Sequence, residues 1–277
     1  MVRRLLLFFL VGCSHPAPAN VAVTIAHPVE SAPAKIEDHT QERIAAAKTD
    51  IAEGREAAAS HALLSIVCGD RVVHGAEDLA RCPATPFVNT AEAWALIAQL
   101  AMDNKLEVVQ TEWGAARRVV GRWDGHTNSA QMELAEVALT HATRLSASPK
   151  YAFQLATTRD KLRRYGPALE AFAKVLESSS TSHRNAALEG AARCITHSDW
   201  DGDGEADAVV AFDRPEVRNV LASSQQPWVA EVYVRALDTL IDAEECSAAR
   251  TGASELARRF PQNPNLSRIR GELQNCP

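Results

Sequence analysis

The sequence predicts an all-α protein. From Glu37 onward apolar residues recur at three- and four-residue spacing, alanine is abundant, and period-two alternation of β-branched residues is almost absent. Helices are expected near 38–66 with a break at Gly54, then at 90–103, 105–121, 128–145, 149–164, 167–179, 182–196, 214–223, 227–242, 245–260 and 264–274. Thr90 and Asn128 read as N-caps, Pro227 as a first helical position and Pro261 as the residue just past a last turn. Connections of about two to six residues join most neighbours, which makes antiparallel helical hairpins the building block.

Composition narrows the function classes. A chain of 277 residues with 46% hydrophobic and 23% charged side chains has ordinary globular make-up. Its 29 Lys+Arg against 35 Asp+Glu give a net charge of −6, the wrong sign for a general nucleic-acid binder. The longest strongly apolar run, Leu5 to Val11, is seven residues. A bilayer-spanning helix needs about 20.

The first thirteen residues read as an address. Arg3 and Arg4 form a positive start, Leu5 to Leu10 an apolar stretch, and Leu10-Val11-Gly12-Cys13 places small residues before a cysteine. This tetrad resembles the lipobox of bacterial lipoproteins. The resemblance implies cleavage before Cys13, diacylglyceryl and N-acyl (palmitate) chains on that cysteine, and, with Ser14 next, the periplasmic face of the outer membrane. Several acyl chains, at about 0.8 kcal/mol per buried methylene, anchor a protein firmly. Removal of residues 1–12 takes Arg3 and Arg4 with it and leaves a net charge of −8, which argues against a polybasic hold on lipid. Residues 13–36, with Pro16, Pro18, Pro28 and Pro33, read as a tether of up to roughly 70 Å at ~3.1 Å per residue. Residues 37–277 are the helical domain, with a sub-boundary near 197–213.

Within that domain Leu155 and Ala156, then Tyr165, Ala168, Phe172 and Val175, fall at the spacing of a two-helix repeat over Tyr151 to Glu177. Tyr233, Ala236, Leu237, Ala249, Ala253, Leu256 and Pro261 repeat the pattern, and Ala91 to Ala98 begins a partial copy whose second helix needs a shift. These segments resemble tetratricopeptide (TPR) repeats. The resemblance implies a solenoid of stacked hairpins, in which small residues let backbones approach and Trp94, Tyr165 and Phe172 fill the gaps. A non-repeating helical bundle is the alternative. In a solenoid the groove would be lined from first helices, with Glu92, Gln99, Asp103, Phe153, Thr157, Glu231, Val234 and Asp238 as candidates; their acidic bias suits a basic or polar partner segment.

With Cys13 acylated, Cys68, Cys82, Cys194, Cys246 and Cys276 remain, an odd number for an oxidising compartment. Cys68 with Cys82 and Cys246 with Cys276 can each staple a hairpin, while Cys194 lies on an apolar stripe as a small buried hydrophobe. No CxxC occurs.

Asp199-Trp200-Asp201-Gly202-Asp203-Gly204-Glu205-Ala206-Asp207 concentrates five carboxylates in nine residues, which repel unless a cation neutralises them. Side chains of Asp199, Asp201, Asp203 and Asp207 and the Glu205 carbonyl can converge on one hard cation, with Gly204 allowing the turn. The segment resembles the DxDGDGxxD calcium loops of FG-GAP propellers, thrombospondin type 3 repeats and dockerins. That resemblance implies a structural Ca²⁺, weakly held at about 10⁻⁴–10⁻³ M because Val210 stands where an EF-hand has its bidentate glutamate. A solvated turn that binds nothing specific is the alternative.

No HExxH, GxSxG, GxxxxGK[ST] or dinucleotide fingerprint occurs, so no catalytic residue is assigned and no enzyme is expected. The sequence leads to a lipid-anchored periplasmic interaction or scaffold protein with a protein or peptide partner in the cell envelope. A calcium-dependent structural or adhesive envelope protein, and an envelope enzyme of another type, are the alternatives.

Overall fold

The structure, a computed structural model, describes residues 39–69, 71–82, 90–109, 116–118, 129–197, 199–200 and 211–276. The break expected at Gly54 separates α1 (Thr40–Ala52) from α2 (Glu56–Cys68). A short α3 (Ala76–Ala80), not foreseen in the sequence, lies between α2 and α4 (Thr90–Met102). Then follow α5 (Ser129–Leu145), α6 (Pro149–Lys161), α7 (Tyr165–Glu177), α8 (Arg184–Thr196), a 3-10 turn at Ala211–Asp213, α9 (Pro215–Ala222), α10 (Pro227–Asp242), α11 (Cys246–Arg259) and α12 (Leu266–Gln274). Pro227 opens α10 as expected, whereas Thr90 is itself helical and buried rather than a cap. Asn128 lies outside the described residues.

The helix expected over 105–121 is replaced by strand. Residues Glu107–Val109 (β1) and Ala116–Arg118 (β2) pair antiparallel, with Val108 opposite Arg117. Leu106 and Val108 are fully buried while Glu107 between them is partly exposed, a period of two that a helix cannot satisfy. Two side chains also hold the backbone extended: Ser60 Oγ accepts the Glu107 N–H at 3.1 Å, and Gln131 Nε2 donates to the Leu106 carbonyl at 2.9 Å.

Most helices pack on the next helix of the chain: α1 on α2, α4 on α5, α5 on α6, α6 on α7, α7 on α8, α10 on α11 and α11 on α12, while α2 packs on α4 and α3 on α5. In addition α6, α8, α10 and α12 lie side by side in that order, and α7 touches α9. One continuous apolar core runs through the domain from Ile44 to Ile269, with Trp94, Phe172 and Trp228 among its largest fully buried side chains.

Four of the hairpins close with the same turn. After α1, α4, α6 and α10 the second residue past the helix has positive φ: Gly54 (74°), Asn104 (56°), Arg163 (58°) and Glu244 (60°). Its N–H bonds three residues back (to Ile51, Ala101, Asp160 and Ile241), and the next N–H reaches five back (to Asp50, Leu100, Arg159 and Leu240) at 2.7–2.8 Å. This is the Schellman closure, which satisfies carbonyls otherwise orphaned at a helix end. Glycine and asparagine suit it, whereas a side chain such as Arg163 or Glu244 carries a steric cost of about 1–2 kcal/mol in this region. At Gly190 the constraint is contact: an added Cβ would lie 2.3 Å from the buried Phe172 ring.

Two outcomes are expected from urea unfolding. Glu244→Gly raises stability by about 1 kcal/mol, because the turn no longer strains a Cβ. Gly190→Ala lowers it by about 1–2 kcal/mol, since overpacking against Phe172 outweighs the gain in helix propensity.

Candidate functional site

The face made by α6, α8, α10 and α12 is laced with ion pairs between successive helices. Arg193 pairs with Asp160, Arg184 with Glu231 (2.6 Å), Arg235 with Glu189 (3.5 Å), and Arg268 with Asp238 (2.8 Å). Lys48 of α1 reaches Glu92 of α4 in the same manner (2.6 Å). Between α8 and α10 lies a cavity of about 450 Å³, lined by Glu189, Arg193, Thr196, Arg235, Asp238 and Thr239. Three of the expected groove acids, Glu92, Glu231 and Asp238, are therefore matched by cations of this chain, and the acidic bias read from the sequence is largely cancelled on the folded face.

The remaining groove candidates divide by exposure. Gln99 and Asp103 are exposed. Phe153 is half-buried, stacked on the His183 ring at 4.7 Å and edge-on to Phe172. Thr157 donates its hydroxyl to the Phe153 carbonyl at 3.0 Å, which turns it back on its own helix. Val234 packs against the core.

At the end of α8 the backbone does not make the recurrent turn. His197 is extended (φ −69°, ψ 128°), and the acidic segment follows. Asp199 is 8% exposed and its carboxylate accepts from Arg163 at 3.3 Å. Arg163 is the positive-φ residue of the α6–α7 turn. The Asp199 N–H donates to His197 Nδ1 (3.2 Å), which leaves the proton of the neutral ring on Nε2, 2.8 Å from the Tyr165 hydroxyl. Tyr165 also stacks on the same imidazole at 4.0 Å, and burial raises its phenol above the ordinary value, so it remains a neutral hydroxyl. Arg214, 3% exposed, donates to the His197 carbonyl at 2.8 Å and sits 4.7 Å above the Trp200 ring. Asp201, Asp203, Glu205 and Asp207 lie outside the described residues, as does Cys13. Among the described residues no three His, Cys, Asp or Glu side chains converge as a metal-ligand group.

The chain finds no match among family models, curated proteins or solved structures.

Disulfides join Cys68 to Cys82 and Cys246 to Cys276, with Cα atoms 4.7 and 5.8 Å apart. The first closes the strap carrying α3, and the second ties the start of α11 to the chain just beyond α12. A loop of this size contributes on the order of 3 kcal/mol in the chain-entropy account. Cys194 is a free, buried thiol whose burial pushes its pKa far up, so it is inert as a nucleophile. Arg163, the pairing of Tyr165 with His197 and of Trp200 with Arg214, and the arginines of the ladder do not stand out in the sequence. The one local signal was Trp200 beside the acidic run; the others are brought together only by folding.

His141 offers a solution test of this arrangement. It stacks on Trp94 at 4.3 Å, and burial, then repulsion from Arg144, hold its pKa below the usual 6.5 against a hydrogen bond to Ala80 that pulls the other way. A histidine depressed in the folded state binds its proton better when unfolded, so its contribution is complete above about pH 6.5 and is lost as the pH falls through that value toward the lower folded one. The thermal midpoint of the wild type should drop by a few degrees between pH 7 and 5. His141→Gln should fall less over the same interval.

Proposed function

We propose that this is a lipid-anchored protein of the bacterial envelope whose stacked, TPR-like hairpins hold a polar partner segment along the face of their first helices. The observation that carries the solenoid reading is the repeated closure at Gly54, Arg163 and Glu244, which makes three hairpins variants of one unit despite unequal spacing in sequence, with the same turn at Asn104 leading into β1. The packing of successive helices on one another and the side-by-side run of α6, α8, α10 and α12 support it. The lipid anchor is read from Leu10-Val11-Gly12-Cys13, and Ser14 after it favours the outer membrane, facing the periplasm. Because Glu92, Glu231 and Asp238 are already paired, the partner is recognised by exchange of ion pairs and by Phe153 rather than by a bare acidic field.

In the calcium-loop resemblance, Asp199 is the first ligand, and its fit is poor, since its carboxylate is buried against Arg163. The donor types of Asp201, Asp203, Glu205 and Asp207 suit calcium, which would neutralise their mutual repulsion and pin the connection after α8. Its role in this reading is structural.

Two experiments test the proposal in cells. Cys13→Ala should abolish palmitate labelling and release the protein from the membrane fraction, leaving residues 1–12 attached; unchanged labelling or sedimentation refutes the anchor. A photo-crosslinking residue at Gln99 or Val234 should capture a discrete envelope partner, and one at Glu170 on α7 should not. Equal capture from all three positions refutes the first-helix groove.

A further inference from the structure

The acidic loop springs from the point where four other hairpins make a tight turn, and its root is built like a core rather than like a binding site. Asp199 is nearly inaccessible, its carboxylate lies 3.3 Å from the Arg163 guanidinium, and its N–H is held by His197. His197 in turn is stacked and hydrogen-bonded by Tyr165, and Arg214 clasps the His197 carbonyl from one side and the Trp200 ring from the other. Two guanidinium groups thus attend the root, Arg214 buried within it and Arg163 reaching Asp199 from the exposed side. A calcium ion taken at the Asp199 carboxylate would come to rest beside the Arg163 guanidinium on Oδ2, the reverse of what a cation site supplies. The position of Arg163 reinforces this reading. It fills the turn position occupied by glycine and asparagine in two of the other hairpins, and it reaches the next hairpin's loop from there.

We propose that Asp199 is the anchor of the acidic loop and not a ligand within it: its buried carboxylate, paired with Arg163 beside Tyr165, His197, Trp200 and Arg214, closes the root without metal. The inference rests in part on the calcium reading above, and its test separates the two. Arg163 is a positioning residue here, acting on the loop through Asp199.

The full mature chain is titrated calorimetrically with calcium, and its thermal midpoint is read in excess chelator. Asp199→Asn and Arg163→Gln should each lower the chelator midpoint by a few degrees, and the double variant by no more than the larger single effect, because both remove one pair. Both singles should keep calcium affinity within about threefold of wild type, whereas Asp201→Asn with Asp203→Asn should weaken it more than about tenfold and leave the chelator midpoint unchanged. A loss of about tenfold in Asp199→Asn alone, with Arg163→Gln binding as wild type, makes Asp199 a ligand and overturns the proposal. Additive midpoint effects overturn it as well, by showing that the two residues do not act as a pair. If the wild type takes up no calcium, the calcium reading fails, and the anchor is still decided by the chelator midpoints and their non-additivity.

Discussion

The domain depends on one backbone constraint: a helix end must satisfy its orphaned carbonyls, and here four first helices do so by the same left-handed turn. That closure reverses the chain within three residues, as between α6 ending at Lys161 and α7 beginning at Tyr165. The second helix is thereby delivered against the first at close range, and alanines such as Ala156 and Ala168, both fully buried, let the two backbones approach. Where the turn leads elsewhere, the fold changes character. After Asn104 the chain enters β1 and the partner helix α5 is delayed until Ser129; after α8 the turn is absent and the acidic segment takes its place.

This constraint explains which parts of the architecture could be read in advance. Gly54 announced its turn because glycine is the residue that position favours, and Pro227 announced the start of α10. Arg163 and Glu244 hold the same geometry with side chains that read as ordinary helix surface, so the common unit behind Tyr151–Glu177 and Tyr233–Pro261 was legible only as scattered apolar matches. The replaced helix at 105–121 failed for a different reason. Val108 and Val109 are short-range strand formers, but the burial of Leu106 and Val108 is decided by Ser60 and Gln131, 47 and 25 residues away along the bonds they make.

The candidate sites divide along the same line between local and non-local chemistry. The carboxylate spacing at 199–207 is local, and so are the two cysteine pairs, 14 and 30 residues apart along the chain. The surroundings of Asp199 are not local: Arg163 lies 36 residues before it, and Tyr165 meets His197 across 32. Residue type alone suggests Asp199 as a metal ligand, whereas its burial beside a guanidinium, which only folding brings about, is what the proposed anchoring role rests on. The same holds for Glu231 and Asp238, acidic in sequence but neutralised in space by Arg184 and Arg268.

That neutralisation bears on how a first-helix face can select a partner. An unpaired acidic groove attracts any basic segment at long range and discriminates poorly, with a strong dependence on salt. A ladder of half-exposed pairs contributes little to stability, at a median of about 0–1 kcal/mol each, so exchanging its members costs little either. An incoming segment gains only where it replaces both halves of a pair in register, for example an acid opposite Arg193 together with a base opposite Asp160. A segment with the wrong order leaves like charges facing one another. On the proposed function, specificity would then arise from the sequence of charges along the partner rather than from its net charge, with the side-by-side helices α6, α8, α10 and α12 supplying the spacing against which that order would be read.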